Sequence, residues 1–217
     1  MFFKRKVKKV KNKMAYAQVM AIGFFVIIAI GTFLLMLPIS NQDGNWCNFF
    51  DAMFTATSAT CVTGLVVCDT YTQWTMFGQL VILTMIQIGG LGFITISVMF
   101  SVLLKKKIGL NIRNLIQESV SSMKLSGVVK LTKNIFKGTA IIEGIGALLL
   151  ATRFVPELGF FTGIYYAVFH SISAFCNAGF DLFGRFEQYS SLTHFSSDIV
   201  VNVTIMLLII IGGLGFI

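Results

Sequence analysis

The sequence predicts an all-α membrane protein built from two copies of one helical unit. Composition, the distribution of basic residues and an internal repeat support this prediction. The 217 residues are 56% hydrophobic and only 12% charged, and the mean hydropathy is +0.84. An ordinary soluble domain carries about 25% charged residues. A soluble fold would have too little polar surface to cover so much apolar side chain, so lipid is the expected solvent.

The net charge of +8 is concentrated in two clusters. Seven basic residues lie within residues 4–13 and eight within 105–137, and both clusters flank long apolar runs. Positive charge of this kind marks the cytoplasmic side of a membrane protein. We therefore expect a multi-pass protein of the plasma (inner) membrane with a cytoplasmic N-terminus. Nucleic acid, the other common partner of a basic chain, is not expected.

Four apolar runs are long enough to cross a bilayer, which needs about 20 residues. They cover residues 15–37, 74–104, 135–154 and 199–217. The first run is too long for the apolar part of a signal peptide, and Pro38 ends it. Two further helices are predicted over 48–57 and 160–173. A ten-residue helix rises only about 15 Å, so these two would enter the membrane without crossing it or lie at its surface.

An internal repeat divides the chain. The pattern A-x-F-x-x-x-S-A-x-C-x-x-G occurs at 52–64 and again at 167–179, and the seven residues at 88–94 recur exactly at 211–217. Both copies begin on the basic side, which predicts parallel units related by an axis along the membrane normal. Residues 1–104 form the first unit, 105–130 an amphipathic cytoplasmic connector, and 131–217 a second unit truncated in its last helix.

Each predicted short helix is followed by a segment of small, polar and β-branched residues, at 58–65 and 175–180. Irregular backbone at membrane depth must be buried in protein or line a water-filled cavity. Backbone carbonyls there can replace the water of a cation, and glycine permits the unusual dihedrals that this requires. Gly64 and Gly179 are the candidates for that role. The preceding helices would direct their negative dipole ends toward the ion.

These motifs resemble the Ktr/Trk superfamily of potassium transporters, and within it the membrane subunits of bacterial Ktr systems. The resemblance rests on the segments Thr-Cys-Val-Thr-Gly-Leu at 60–65, Ala-Phe-Cys-Asn-Ala-Gly-Phe at 174–180 and the repeated Ile-Gly-Gly-Leu-Gly-Phe, and extends to residues 107–118. It implies span–pore-helix–span units around one pseudo-fourfold, potassium-channel-like pore, of which this chain would supply half. The family has four such units, so we expect a fragment, a truncated product or half of a split subunit that does not conduct alone.

The resemblance also implies a selectivity filter and partners. The filter residues would be Cys61, Val62, Thr63, Gly64, Cys176, Asn177, Ala178 and Gly179. Potassium would bind the backbone carbonyls of Val62, Thr63, Gly64, Asn177, Ala178 and Gly179. The two cysteines would be small packing residues behind the filter. A homodimer, a cytosolic ring of nucleotide-binding regulatory subunits, membrane lipid and stimulation by sodium are implied as well, with no covalently bound cofactor.

Other residues leave alternatives open. Glu143 lies inside the third span, where it could serve function or brace two helices through hydrogen bonds. Seven acidic residues lie in loops opposite the basic clusters, where they could attract cations or only be solvated. His170 and His194 lack partners at metal-ligand spacing, and no catalytic cluster is evident, so an enzyme is not expected. The rival function is a non-conducting membrane scaffold or receptor fragment, which has no need of two buried glycine loops.

Overall fold

The structure, a computed structural model, describes residues 16–92 and 128–214, and every regular element in these ranges is helical. The all-α prediction is therefore confirmed for the described residues. The helices are α1 Tyr16–Met36, α2 Phe49–Thr60, α3 Thr70–Gln73, α4 Met76–Leu91, α5 Val128–Leu158, α6 Phe160–Phe175 and α7 Ile199–Leu214. Short 3₁₀ turns cover Pro38–Ser40, Phe183–Arg185 and Ser191–Phe195.

The predicted first, third and fourth spans correspond to α1, α5 and α7. The second corresponds to α4, which ends at Leu91 because Gly92 takes a positive φ of 81°. The continuation of that span from 93 to 104, and most of the 105–130 connector, lie outside the described residues. The basic N-terminal cluster lies outside them as well.

The irregular segments were predicted to begin too early. α2 continues through Thr60 instead of ending at Thr57, since the Thr60 hydroxyl donates to the Ala56 carbonyl (2.7 Å) and remains satisfied within the helix. Likewise α6 continues through Phe175. The irregular backbone therefore starts at the two cysteines, and the serines and alanines of the repeat belong to helices.

A glycine turn joins α5 directly to α6. Gly159 has a φ of 85°, donates its N–H to the Val155 carbonyl and precedes the first residue of α6. At Gly163 an added Cβ would lie 2.5 Å from the Val155 Cα, so the start of α6 packs against the end of α5 without space for a side chain. This turn explains why α5 runs four residues beyond its predicted end and α6 follows at once.

The helices pack as two similar groups. In residues 16–92, the first half, α1, α2 and α4 contact one another, and in residues 128–214, the second half, α5, α6 and α7 do the same. Contact between α4 and α6 joins the halves. Large side chains fill the resulting core, and Trp74, Phe154, Phe169 and Phe183 are fully buried.

The outer faces of the helices are apolar. Phe25 on α1 is 71% exposed and Leu148 on α5 is 72% exposed, with further aliphatic side chains exposed along α4 and α7. Among the described residues, Thr132–Leu158 is the one helix both long and apolar enough to cross a membrane by length and composition. Met20–Met36, Met76–Leu91, Phe160–Phe175 and Ile199–Leu214 are apolar but shorter.

Asp69 links the connections that follow the two short helices. The residue is buried, with only 6% of its surface exposed. Its Oδ1 accepts hydrogen bonds from the N–H groups of Tyr71 (3.0 Å) and Thr72 (2.9 Å) at the start of α3. Oδ2 accepts from the N–H of Tyr189 in the second half (3.0 Å). A Cβ at Gly184 would overlap this carboxylate. Asp69 is thus a helix cap and a contact between the halves.

Candidate functional site

The two short helices end in the same way. At the end of α2 and of α6, three successive N–H groups donate back to carbonyls three to five residues earlier. The bonds run Cys61 to Thr57 (2.8 Å), Val62 to Ala59 (3.3 Å) and Thr63 to Ser58 (3.0 Å), and Cys176 to Ile172 (2.9 Å), Asn177 to Ala174 (3.0 Å) and Ala178 to Ser173 (2.8 Å). Equivalent repeat positions therefore make equivalent backbone bonds.

In both following loops, φ is positive at two residues that are separated by one other residue. In the first loop φ is 56° at Val62 and 76° at Gly64, and in the second it is 59° at Asn177 and 74° at Gly179. Positive φ suits glycine and is tolerated by asparagine, but it is an outlier for a β-branched residue such as valine. Unusual dihedrals of this kind are needed where backbone carbonyls are to face a cation.

The loops meet at their glycines. A Cβ built on Gly64 would lie 2.6 Å from the Ala178 carbonyl oxygen and 3.4 Å from the Gly179 Cα. A Cβ on Gly179 would lie 3.5 Å from the Gly64 Cα. The two predicted glycines are therefore brought together, and a side chain at position 64 would push the loops apart.

The repeated glycine pairs of α4 and α7 pack against the ends of the short helices. A Cβ on Gly89 would overlap the Thr60 carbonyl oxygen, and one on Gly212 would overlap the Phe175 carbonyl oxygen. Gly90 faces the other half, where its added Cβ would lie 2.5 Å from the Cys176 sulfur. Gly89 and Gly212 therefore leave room for backbone carbonyls, whereas Gly90 leaves room for the Cys176 thiol.

Side chains hold the loops from within their own halves. The Thr63 hydroxyl donates to the Ser58 hydroxyl (2.9 Å), and the Ser173 hydroxyl donates to the Phe180 carbonyl (2.6 Å). His170 is buried, and its Nε2 accepts from the N–H of Leu182 (3.1 Å). Its Nδ1 therefore carries the proton and donates to the Tyr166 carbonyl (2.7 Å). His170 ties the chain beyond the second loop to α6.

The cysteines differ between the loops. All four cysteines of the chain are free thiols. Cys61 and Cys176 were both predicted to be small packing residues; Cys176 is buried against Gly90, whereas Cys61 is exposed at the equivalent position of the first loop. The described residues contain no group of three or more His, Cys, Asp or Glu side chains that could hold a metal ion.

Several acidic side chains make hydrogen bonds or ion pairs within the fold. Asp198 accepts from the N–H groups of Val200 and Val201 at the start of α7 and pairs with Arg153 (3.4 Å). Glu157 pairs with His194 (2.5 Å). Asp181, next to the second loop, accepts from the N–H of Phe183, and burial raises the pKa of its carboxyl above the ordinary value. Together with Asp69, these carboxylates mainly cap helices and link segments of the chain. On the sequence alone, only attraction of cations or simple solvation was considered for them.

Sequence reasoning missed one partner of Glu143. Its carboxylate accepts two hydrogen bonds from the side-chain amide of Gln87 on α4, at 3.1 and 3.2 Å. The sequence feature that could have indicated this partner is Gln87 itself, a polar residue in an otherwise apolar run directly before the first Ile-Gly-Gly motif. The helix-bracing alternative for Glu143 is consistent with this contact.

The helical fold is consistent with a membrane transport protein, and sequence comparison identifies the family. Residues 2–217 match the TrkH family, described as a cation transport protein, and the chain belongs to this family. Membership implies a location in the membrane.

Three curated relatives are similar over nearly the whole chain. Ktr system potassium uptake protein B of Bacillus subtilis is 49% identical over 92% of this chain and 43% of its own length. Potassium/sodium uptake protein NtpJ of Enterococcus hirae is 43% identical over 97% of this chain and 46% of its own. Ktr system potassium uptake protein B of Vibrio alginolyticus is 37% identical over 96% and 44%. The chain thus spans about half the length of these relatives.

Proposed function

We propose that the chain forms half of the pore of a potassium-uptake transporter of the plasma membrane. Potassium passes through a filter lined by the backbone carbonyls of Val62, Thr63, Gly64, Asn177, Ala178 and Gly179. The observation that carries this proposal is the matched geometry of the two loops, which share hydrogen bonds and positive-φ positions and meet at their glycines. The names of the relatives support potassium as the cargo.

The proposed architecture is two parallel span–pore-helix–span units. Residues 1–104 form the first, with α2 as its pore helix, and 131–217 form the second, with α6 as its pore helix. Residues 105–130 are the cytoplasmic connector. Two loops cannot surround an ion, so a complete pore needs two more units arranged with pseudo-fourfold symmetry. Relatives about twice as long as the chain agree with this arrangement.

The proposal includes the partners of the whole transporter. It assembles as a homodimer in lipid, with its N-terminus in the cytoplasm, and binds a cytosolic ring of nucleotide-binding regulatory subunits. Sodium stimulates uptake. The relatives named as Ktr system proteins support a multi-component system, and NtpJ, named for potassium and sodium, supports a link to both ions.

Replacing Gly64 by serine tests the filter. The new Cβ would lie 2.6 Å from the Ala178 carbonyl oxygen, at a φ that disfavours a side chain. In a bacterium lacking potassium uptake, the complete gene product carrying Gly64→Ser is expected to lose growth rescue at low potassium, with an uptake KM raised about tenfold or more.

Gly44→Ser is the matched control. Gly44 has a similar φ of 65°, but an added Cβ meets nothing within 4 Å. This variant is expected to rescue growth like the unmodified protein. Equal rescue and equal KM for the two serine variants, at equal abundance in the membrane, would contradict the proposed filter. Absence of potassium uptake by the unmodified gene product with its regulatory partner would contradict the proposed function itself.

A further inference from the structure

Two polar side chains inside the spans break the repeat. Gln87 lies on α4 and Glu143 on α5. Helices α1 and α5 correspond at a spacing of 115 positions, as Gly31 and Gly146 show, and the position equivalent to Glu143 is Ile28. The Ile-Gly-Gly motifs correspond at a spacing of 123, and the position equivalent to Gln87 is Ile210. A polar pair inside membrane spans is costly and marks a candidate for function.

The hydrogen bonds fix the orientation of the Gln87 amide. Its Nε2 donates to both carboxylate oxygens of Glu143, so its Oε1 points the other way. That oxygen accepts from the thiol of Cys176 at 3.7 Å, a long bond from a weak donor. One side chain on the first half therefore connects a carboxylate on α5 to the first residue of the second loop.

The same helix encloses the thiol from a second side. A Cβ on Gly90 would lie 2.5 Å from the Cys176 sulfur, so the sulfur occupies the space that glycine leaves open. Cys176 is 8% exposed as a result. The Ser171 hydroxyl donates to the Glu143 backbone carbonyl (2.7 Å), which also holds α6 to α5 beside the pair. The start of the second loop is thus held by both neighbouring helices.

We propose that Glu143 and Gln87 are a positioning pair that sets the geometry of the second loop. Glu143 orients the Gln87 amide, and Gln87 holds Cys176, the residue directly before the carbonyls of Asn177 and Ala178. This inference rests on the proposed function, because it assigns the pair's effect to potassium binding by that loop. Neither residue need contact the ion.

The test replaces each residue by the one at the equivalent repeat position, as Glu143→Ile and Gln87→Ile. Potassium uptake by the complete gene product is measured in a bacterium lacking its own uptake systems, with membrane abundance quantified by immunoblotting. Loss of an orienting hydrogen bond is expected to raise the KM for potassium about tenfold. The preference for potassium over sodium is expected to fall, while the maximal rate per transporter changes less than about twofold.

The exchanged double variant, Gln87→Glu with Glu143→Gln, restores an amide facing a carboxylate across the same two helices. It is expected to return the KM to within about threefold of the unmodified protein, whereas Gln87→Glu alone opposes two carboxylates and raises it. Thr84→Val on α4 is the control, since the Thr84 hydroxyl is exposed and bonds only back to the Leu80 carbonyl among the contacts described.

The proposal is overturned if the isoleucine variants keep the KM and ion preference of the unmodified protein, or if the exchanged pair performs no better than Gln87→Glu alone. If the isoleucine variants do not reach the membrane, the near-isosteric Gln87→Glu and the exchanged pair decide by the same comparison. Unmodified protein that takes up no potassium counts against the proposed function, which separates the two failures.

Discussion

Val62 holds a β-branched side chain at a φ of 56°, a conformation that costs on the order of 1–3 kcal/mol. Its repeat partner Asn177 takes the same conformation at less cost, because asparagine tolerates the left-handed region. A strained residue persists only where its surroundings fix the backbone. Here two features fix the backbone of Val62: the hydrogen bond from its N–H to the Ala59 carbonyl, and Gly64 two positions later.

Exchanging the residue type at position 177 measures this strain. Asn177→Val places a β-branched side chain at a φ of 59° and is expected to lower the free energy of unfolding by about 1–2 kcal/mol. Asn177→Gly is expected to change it by less than about 1 kcal/mol, since glycine accepts that φ. Thermal unfolding of the purified gene product in detergent compares the two. Equal midpoints would mean that the loop relaxes around the valine.

At this scale the sequence predicts glycine positions better than contacts. The repeat identified Gly64 and Gly179 because both copies have a glycine three positions after the repeated cysteine. It could not predict the conformation of Val62, since valine by itself favours extended backbone. Nor could it pair Gln87 with Glu143, because residues 56 positions apart meet only once the two halves have packed together.

Glycines determine how closely neighbouring segments can approach α4. Gly89 allows the end of α2 to approach until the Thr60 carbonyl occupies the place of a side chain. Gly144, on α5, faces open space instead. Glycine costs a helix interior about 1 kcal/mol relative to alanine, so Gly89 is explained by contact and Gly144 is not.

Alanine at these two glycines should therefore have opposite effects. Gly89→Ala is expected to lower the free energy of unfolding by about 1–3 kcal/mol, because its Cβ overlaps backbone rather than a flexible side chain. Gly144→Ala is expected to leave it unchanged or raise it by up to about 1 kcal/mol. Melting temperatures in detergent measure both. A Gly89→Ala protein as stable as the unmodified one would show that α2 and α4 can separate freely.

Helix positions were predictable at the scale of elements because apolar runs and proline mark them. α1 ends at Met36, two residues before Pro38, and Phe160 begins α6 as predicted. Helix ends were less predictable. The Thr60 hydroxyl is satisfied inside α2, so a residue type that suggested irregular chain instead prolongs the helix. The Gly159 turn was missed because one residue, rather than a loop, separates α5 from α6.

The two halves are joined at three levels along the molecule. Asp69 binds the N–H of Tyr189, the Tyr165 hydroxyl donates to Oε1 of Gln79 (2.9 Å), and Gln87 links Glu143 to Cys176. The repeat predicts two similar halves but not these joints, since each involves residues that differ between the copies. The way in which the two halves pack together is therefore the part of the fold that the sequence predicts least well.

The Asp69 joint has a measurable energy. Asp69→Ala removes the cap of α3 and the acceptor for Tyr189, and is expected to lower the free energy of unfolding by about 2 kcal/mol. Asp43→Ala, at an exposed turn, is expected to change it by less than about 0.5 kcal/mol. Denaturation followed by circular dichroism compares them. Equal stability of the two variants would rule out the joint as a significant restraint.

Gly89 and Gly90 are neighbours on one helix, yet the first contacts the end of α2 and the second contacts Cys176 beyond α6. This has an evolutionary consequence. A substitution that reshapes α4 around one loop also changes the support of the other, so we expect the two loops to be constrained together. Thr63 and Ala178 differ at equivalent repeat positions, and both lie in loops whose first residues are reached through this glycine pair. On the proposed function, ion preference is therefore a joint property of the two loops.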